Sequence, residues 1–434
     1  MEGTERIGAR NWTLIWIIGM IGQLVWNVEN SLFNTFVYRV ADKNAEIIIQ
    51  WMVAASATAT TISTLLIGTW SDRIGKRRPF IGFGYILWGI FTIGFGATRF
   101  LPVMYIGAAL IITDVFMSFC GSVGNDAGFN AWTTDITTVH NRGRLGGALA
   151  VMPVIATIVG TAGFGIVVDG IKGSPFSGIG YFPFFIVIGI IAMLVGIFSL
   201  CAVREGPALK PAKEGKGYWI QFAEAFRLKE FMKNRELFWV FIVMVTYFIG
   251  FNVYFPFIMP YFEHTLGLGL GLAGIITGAG LGLAVVFTIP AARFIDRGKG
   301  SIIIILAVVV NLIGLFIISF AEGSQIPLLI LGTLGAGTGY VLVLQTLTAW
   351  VKNLYPDDRR GQYEGIRLIF FVCLPMVIGP AIGTPLVTNF GKALLIDGRH
   401  QMVPGGLLFQ VSAVVTFLSL LPLLGVWKVR RRQG

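Results

Sequence analysis

The sequence predicts an all-α integral membrane protein, with twelve transmembrane helices in two pseudo-symmetric six-helix bundles. Three observations carry this expectation. Of 434 residues, 55% are hydrophobic and only 13% charged, and the mean hydropathy of +0.77 lies outside the range of a soluble domain. Twelve apolar stretches are long enough to cross about 30 Å of hydrocarbon as helices. The chain also repeats itself: Ala131-Trp132, Arg142-Gly143 and Gly147 return 218 residues later as Ala349-Trp350, Arg360-Gly361 and Gly365. A second pair, Asp72-Arg73 before Gly75-Lys76 and Asp296-Arg297 before Gly298-Lys299, sits in short basic breaks at matching places of the two halves.

The first segment, near 12–38, follows a polar stretch of ten residues and is too long for the apolar core of a cleaved signal peptide. Segments near 46–70 and 80–98 flank the first basic break, which ends in Arg77-Arg78-Pro79. Segments near 105–137, 145–168 and 181–203 complete a first bundle over 1–203. The only sizeable polar connection, 204–236, opens loosely with Pro207, Pro211, Gly215 and Gly217. It then alternates Trp219, Phe222, Phe226 and Phe231 with Arg227, Lys229, Glu230 and Lys233, the pattern of a helix lying on the inner leaflet as a tether. A second bundle over 237–434 holds segments near 237–262, 270–293, 301–321, 326–350, 362–388 and 405–427. The 56 glycines would weaken soluble helices but permit close helix contact in lipid, and Gly271, Gly274 and Gly278 make the eighth segment the clearest case.

Charge sets the orientation. The net charge of +11 invites a nucleic-acid reading, but its distribution rejects one. With the N-terminus inside, 26 of the 33 Lys and Arg residues fall on the inward side, so both termini and the 204–236 link are expected in the cytoplasm of a multi-pass cell-membrane protein. Cys120, Cys201 and Cys373 lie far apart in or beside helices, and His140, His264 and His400 are scattered over loops on both sides. No zinc spacing, nucleotide fingerprint or nucleophile elbow is present, so no enzyme and no bound cofactor is expected. The expected partners are lipid and a small solute, with the chain acting as a monomer.

Polar side chains inside a membrane are expensive, so their helical phase is informative. Gln23, Asn27, Asn30 and Asn34 share a face of segment one, and Ser122, Asp126, Asn130, Thr133 and Thr137 share a face of segment four. Two such stripes are expected to face a wet cavity; inter-helix hydrogen bonding alone is the plainer reading. Tyr247, Phe251, Tyr254 and Tyr261 in segment seven either stack on a solute or simply pack, and Gln345 in segment ten is a further cavity candidate. Asp126 lies roughly 10–16 Å inside segment four at about 1.5 Å per residue, on its polar stripe, and is the coupling acid of choice. By the same arithmetic Asp114 falls near the outer boundary and off the stripe, as a rim residue. Glu29 points away from the asparagine stripe, as a second titratable site or as a carboxylate bonded to a neighbouring helix. Arg367 either meets an anionic cargo or pairs with Asp135 or Glu364 at the inner gate, the gate being favoured.

The run Gly68-Thr69-Trp70-Ser71-Asp72-Arg73-Ile74-Gly75-Lys76-Arg77-Arg78-Pro79 resembles the loop between helices two and three of the major facilitator superfamily. Three further features resemble the glycoside–pentoside–hexuronide:cation symporters and the related sucrose-type proton symporters: the Arg-Arg-Pro ending, the stretch from Asn125 to Trp132, and Phe222-Ala223-Glu224-Ala225-Phe226 through Asn234-Arg235. The resemblance implies two bundles rocking about a central cavity lined by helices one, four, seven and ten, with a sugar-like solute carried together with a cation. It makes Asp72, Arg73, Arg77 and Arg78 an inner latch, with Asp296 and Arg297 as a reduced second copy and Asp135, Arg142, Arg360 and Arg367 beside it. It places the family's cation-site aspartate of helix four at Asp126. Sodium-using members carry paired aspartates in helix two, where this chain offers only Ser56, Thr58, Thr60, Thr61, Ser63 and Thr64, so a proton is expected in place of sodium. The leading expectation is proton symport of a sugar or glycoside. The alternative keeps the fold and carries an amphipathic solute, lysolipid or drug in either direction, although Val154–Val168 lacks the Gly-Pro-rich motif of the superfamily's proton antiporters, which weakens export. A non-transporting receptor is the third class, and the polar stripes oppose it.

Overall fold

The computed structural model describes residues 7–137, 142–170, 178–206, 209, 234–288, 300–355 and 360–433. In the first bundle α1 runs through Ala9–Val28, a π turn at Glu29–Phe33 and Asn34–Val40. It is followed by α2 (Ala45–Ile74), α3 (Arg78–Phe100), α4 (Val103–Asp135), α5 (Arg142–Asp169) and α6 (Tyr181–Ala202). The second bundle holds α7 (Arg235–Thr265), α8 (Leu270–Thr288), α9 (Gly300–Phe320) and α10 (Ile326–Asn353). It closes with α11 (Arg360–Leu368, Ile369–Cys373 and Leu374–Phe390 in one run) and α12 (Leu407–Leu418 and Leu420–Gln433). Among the described residues twelve helices are therefore present, as the apolar stretches predict. Ten of them are long and apolar enough to cross a membrane by length and composition. The amides and carboxyl at the middle of α1 dilute its apolar window, and the apolar part of α8 spans Leu270–Val286. The tether helix expected within 204–236, and the Asp296-Arg297 break, lie outside the described residues.

Local chemistry sets the helix ends. Gly75 takes the left-handed conformation (φ 66°) that an L side chain resists, and its N–H closes α2 onto the Ser71 carbonyl at 3.0 Å. Pro79 then sits in the first turn of α3, where its missing N–H costs nothing. Asn234 caps α7 by accepting from the Leu237 N–H at 3.2 Å.

The halves meet along two helix pairs related by the repeat, α5 with α8 and α2 with α11. The α5–α8 seam depends on small residues. A Cβ on Gly274 would run into the Thr161 carbonyl, so the two backbones touch there as the glycine content of α8 predicts. The duplicated tryptophans also have a job. Trp132 donates from Nε1 to the Arg204 carbonyl (2.8 Å) and Trp350 from Nε1 to Glu236 Oε1 (3.0 Å), so the repeat pins the two ends of the 204–236 link.

One element departs from the all-helical expectation. Between α11 and α12, β1 (Lys392–Ile396) pairs antiparallel with β2 (Arg399–Val403) through an Asp397-Gly398 turn, both residues at positive φ. Positive φ at both central residues is what a tight hairpin of correct twist requires, and Asp-Gly supplies it.

Candidate functional site: a cavity between the bundles

A cavity of about 370 Å³ lies between the halves. Amides reach it from both halves, Asn252 of α7 among them, and the aromatic wall comes mainly from the second. From the first bundle α1 contributes Gln23, Asn27, Asn30 and the Trp26 ring, and α5 contributes Thr157. From the second come Phe248, Phe251, Tyr254 and Phe255 of α7, Tyr340 of α10, and Phe371 and Met376 of α11. Phe251 and Tyr340 stack with centroids 4.5 Å apart and planes 20° off parallel, while Phe371 stands edge-on to Phe248 at 4.5 Å. The amides are oriented by their own helix or neighbours. Asn30 Nδ2 donates to the Trp26 carbonyl (2.8 Å), Asn252 Nδ2 to the Phe248 carbonyl (2.8 Å) and Asn27 Nδ2 to Thr161 Oγ1 (3.4 Å). Among the described residues lining this cavity none is charged.

One end of the bundle is sealed across the halves. Arg39 at the end of α1 bonds Glu263 of α7, lies 3.7 Å from Asp169 of α5, and 3.9 Å from Asp397 of the hairpin turn. The hairpin clasps the first half from above. Gln401 donates to the Ala41 carbonyl (2.7 Å) and accepts from the Ala45 N–H (3.3 Å), and Arg399 donates to the Arg39 carbonyl. Thr384 and Thr388 of α11 donate to the carbonyl and the carboxylate of Glu46 at the start of α2 (3.3 and 3.2 Å).

The opposite end carries the basic break. Arg77 is buried there and donates to Asp135 Oδ2 (2.8 Å), to Ser71 Oγ (2.8 Å) and to Asp72 Oδ1. Glu205 accepts from the backbone N–H of Arg77 (2.8 Å) and of Arg78 (3.1 Å). Burial works against the Arg77 charge, but Asp135 and Asp72 outweigh it and hold the guanidinium above its ordinary range. Among the described residues Asp72 pairs with Arg77 of its own half.

Comparison with known proteins decides the family. The chain matches the profile described as Major Facilitator Superfamily over residues 12–380, with a further match at 257–434. The chain belongs to the major facilitator superfamily. It is a multi-pass membrane secondary transporter and not an enzyme. Among curated relatives it is 22% identical to Multidrug resistance protein 2 of Bacillus subtilis (strain 168), over 82% of this chain and 84% of that one. It is 23% identical to Multidrug resistance protein 1 of the same organism, over 77% and 79%. Among solved structures, a D-xylose-proton symporter superposes with TM-score 0.69 at 17% identity, covering 95% of this chain and 97% of that one. The nucleoside transporter NupG gives 0.68 at 13%, covering 95% and 98%. The inward open xylose transporter XylE from E. coli gives 0.68 at 15%, covering 94% of each. At these identities the structures speak for the fold alone. The matching profile is that of the whole superfamily and does not single out the glycoside–pentoside–hexuronide symporters.

In this superfamily member the predicted asparagine stripe is only partly kept together. Gln23, Asn27 and Asn30 line the main cavity, whereas Asn34 lines a second, smaller void. The stripe of α4 comes apart. Ser122 turns to α2, where its hydroxyl lies 2.6 Å from Thr64 Oγ1, and Thr133 is fully buried. Asn130 is exposed. Asp126 is half-buried, accepts from Asn125 Nδ2 at 3.2 Å and lines neither void. The cause is local. Residues Ser122–Phe129 form a π turn, which breaks the i, i+4 phase on which a straight-helix stripe depends.

The π turn of α1 likewise redirects Glu29, whose Oε1 accepts from Ser118 of α4 at 2.8 Å. Asp114 is not at the rim; it is buried against the same smaller void as Glu29. In α7 Tyr254 and Phe251 face the cavity, but the Tyr247 ring is fully buried outside it, and Tyr261 donates its hydroxyl to the Ile318 carbonyl (3.2 Å). Gln345 is half-buried and is not part of the lining. Arg367 lies over the Phe371 ring at 5.6 Å. Arg73 is half-buried and Arg78 exposed at the break. The side chains of Arg142 and Arg360, and all of Asp296 and Arg297, lie outside the described residues. Sequence reasoning missed Asn252, Tyr340 and Phe371. Asn252 was findable as a lone amide deep in an apolar helix; an aromatic ring in an aromatic-rich helix carries no such signal.

Proposed function

We propose that this transporter carries an uncharged amphipathic organic solute by alternating access, with the cavity between α1, α7, α10 and α11 as its binding site. The observation that carries the reading is the mixed lining: amides from both halves (Gln23, Asn27, Asn30 and Asn252), a stacked aromatic wall from the second half, and no charged side chain among the described lining residues. A cavity near 370 Å³ suits a drug-sized molecule, which gains most from apolar walls and a few fixed polar groups. The relatives named as multidrug resistance proteins favour such a cargo over a free sugar. The Arg39 end is the outer one by the charge asymmetry, so the sealed outer end makes this an inward-facing arrangement. Transport is driven by a cation gradient.

A second reading keeps its place because of one feature. The Phe251–Tyr340 pair facing an amide row is also a platform on which a sugar ring stacks while its hydroxyls are bonded, and an aryl or alkyl glycoside is itself amphipathic. Thermal shift of the purified protein with three neutral probes separates the readings: a coumarin-type dye, a nitrophenyl glycoside and a free monosaccharide. Stabilisation by the dye, reduced in Tyr340→Ala, supports the amphipathic reading. Stabilisation by the monosaccharide alone overturns it.

A further inference from the structure

Beside the main cavity, α1, α2, α4 and α7 enclose a void of about 20 Å³, lined by Glu29, Asp114, Ser56, Asn30, Asn34 and Asn252. Its size is that of about one water molecule. Two carboxyl groups from different helices meet at it, and each is only half satisfied. Glu29 Oε1 accepts from Ser118 at 2.8 Å, and Ser56 bonds Asp114. Glu29 Oε2 and Asp114 Oδ1 are buried without a hydrogen-bond partner among the described residues, and Asp114 is 2% exposed. Two orphan carboxyl oxygens in a hydrocarbon environment are costly unless something positive sits between them. Asp126 differs, since its carboxylate accepts from Asn125 at 3.2 Å and its oxygens are not among the buried unpartnered ones.

We propose that Glu29 and Asp114, with Ser56 between them, form the coupling site for one small monovalent cation, a proton or a sodium ion, in place of Asp126. Oxygen ligands suit a hard cation, and here two of them are carboxylates, from α1 and α4, although the Ser56–Thr64 stretch of α2 carries none. The charged neighbour of the pair is Asp126 on α4. The other elements packed there offer only neutral groups: Met52, Val53 and Ser56 of α2, Asn252, Phe255 and Pro256 of α7, and Met376 of α11. Asn30, Asn252, Phe255 and Met376 line both voids, so cation and cargo share walls from both halves. A filled site neutralises the pair and steadies the amides that the cargo meets. This rests on the transporter reading above, but cation binding itself is readable without any cargo.

The test is cation-dependent thermal stability of the purified full-length protein, with sodium chloride against choline chloride at equal ionic strength, at acid and at alkaline pH. A sodium site gives stabilisation by sodium at alkaline pH. A proton site gives stabilisation by acid with no sodium effect. In either case Glu29→Gln and Asp114→Asn should weaken the response by about 30-fold in cation concentration, the low end for stripping a charge from a buried set, while Asp126→Asn keeps it. Should a variant fail to fold, carbodiimide labelling of the wild type read by mass spectrometry serves instead. Modification at Glu29 or Asp114, protected by sodium at a sodium site or promoted by acid without a sodium effect at a proton site, supports the site. Loss of the response in Asp126→Asn with retention in the other two, protection at Asp126 alone, or no cation response in the wild type overturns it. Failure of the dye to bind would leave these readouts unchanged, so the two proposals fail separately.

Discussion

Replacing Arg39 by methionine should shift the bundle towards its outward-open arrangement by about 30-fold, because it removes the cation that holds the sealed end. Glu263 has a side chain only 3% exposed and Arg39 one that is 29% exposed, so Glu263 is the member left stranded. Stripping the partner from a buried ion pair costs about 3–5 kcal/mol, and the access of Arg39 to water lowers this to about 2 kcal/mol. The cost falls on the closed arrangement alone, since opening that end hydrates Glu263. The assay is labelling of Thr277→Cys, a lining position, by a membrane-impermeant thiol reagent added outside, with the three native cysteines replaced by alanine. Labelling should be about 30-fold faster with Arg39→Met than without it, and the double change Arg39→Met with Glu263→Gln should return most of the way. Unchanged labelling in Arg39→Met would remove the latch role, and failure of the double change to slow it would show that packing, not charge, holds this end.

Three further outcomes follow from the geometry. Asn27→Leu and Tyr340→Ala should each weaken dye binding by about 1–2 kcal/mol, while Asn130→Leu, outside the cavity, should be mild; equilibrium fluorescence titration checks this, and equal effects would detach the cavity from the cargo. Asp135→Ala should destabilise the protein by about 2 kcal/mol because it takes from Arg77, whose side chain is 5% exposed, the more buried of its two carboxylate partners and leaves only the exposed Asp72, whereas Asp72→Asn, at a carboxylate 58% exposed, should cost less than about 1 kcal/mol in thermal denaturation. An impermeant thiol reagent applied to cells should modify Leu395→Cys on the hairpin and spare Lys76→Cys at the basic break, and the reverse would invert the topology.

Some of this was legible in the sequence and some was not, for identifiable reasons. Helix number and the halving of the chain follow from apolar length and from the recurrence of Ala-Trp and Arg-Gly at a fixed separation, both of which survive small errors at helix ends. The face on which a residue sits is more fragile. Gln23, Asn27 and Asn30 precede or enter the π turn of α1 and keep their expected side, whereas Asn34 lies beyond it and lines the neighbouring void. In α4 the π turn begins at Ser122, so the whole downstream stripe loses its phase, Asp126 and Asn130 included. The carboxyl pair was hidden because Glu29 sits in the π turn of α1, whereas Asp114 lies in the regular part of α4, and which helices pack together is not written in either segment. The hairpin was readable in principle from Asp397-Gly398, but the sixteen residues between two membrane helices read more naturally as a plain loop.

Counterflow in proteoliposomes tests the central claim most directly, that a neutral amphipathic solute crosses through the amide-and-aromatic cavity. Vesicles preloaded with unlabelled coumarin-type dye and diluted into a trace of labelled dye should accumulate label when they contain the wild type. Asn27→Leu and Tyr340→Ala should lower the apparent affinity together, and Asn130→Leu should follow the wild type. Accumulation of labelled monosaccharide but not of dye, or dye exchange that ignores Asn27 and Tyr340, would contradict the account.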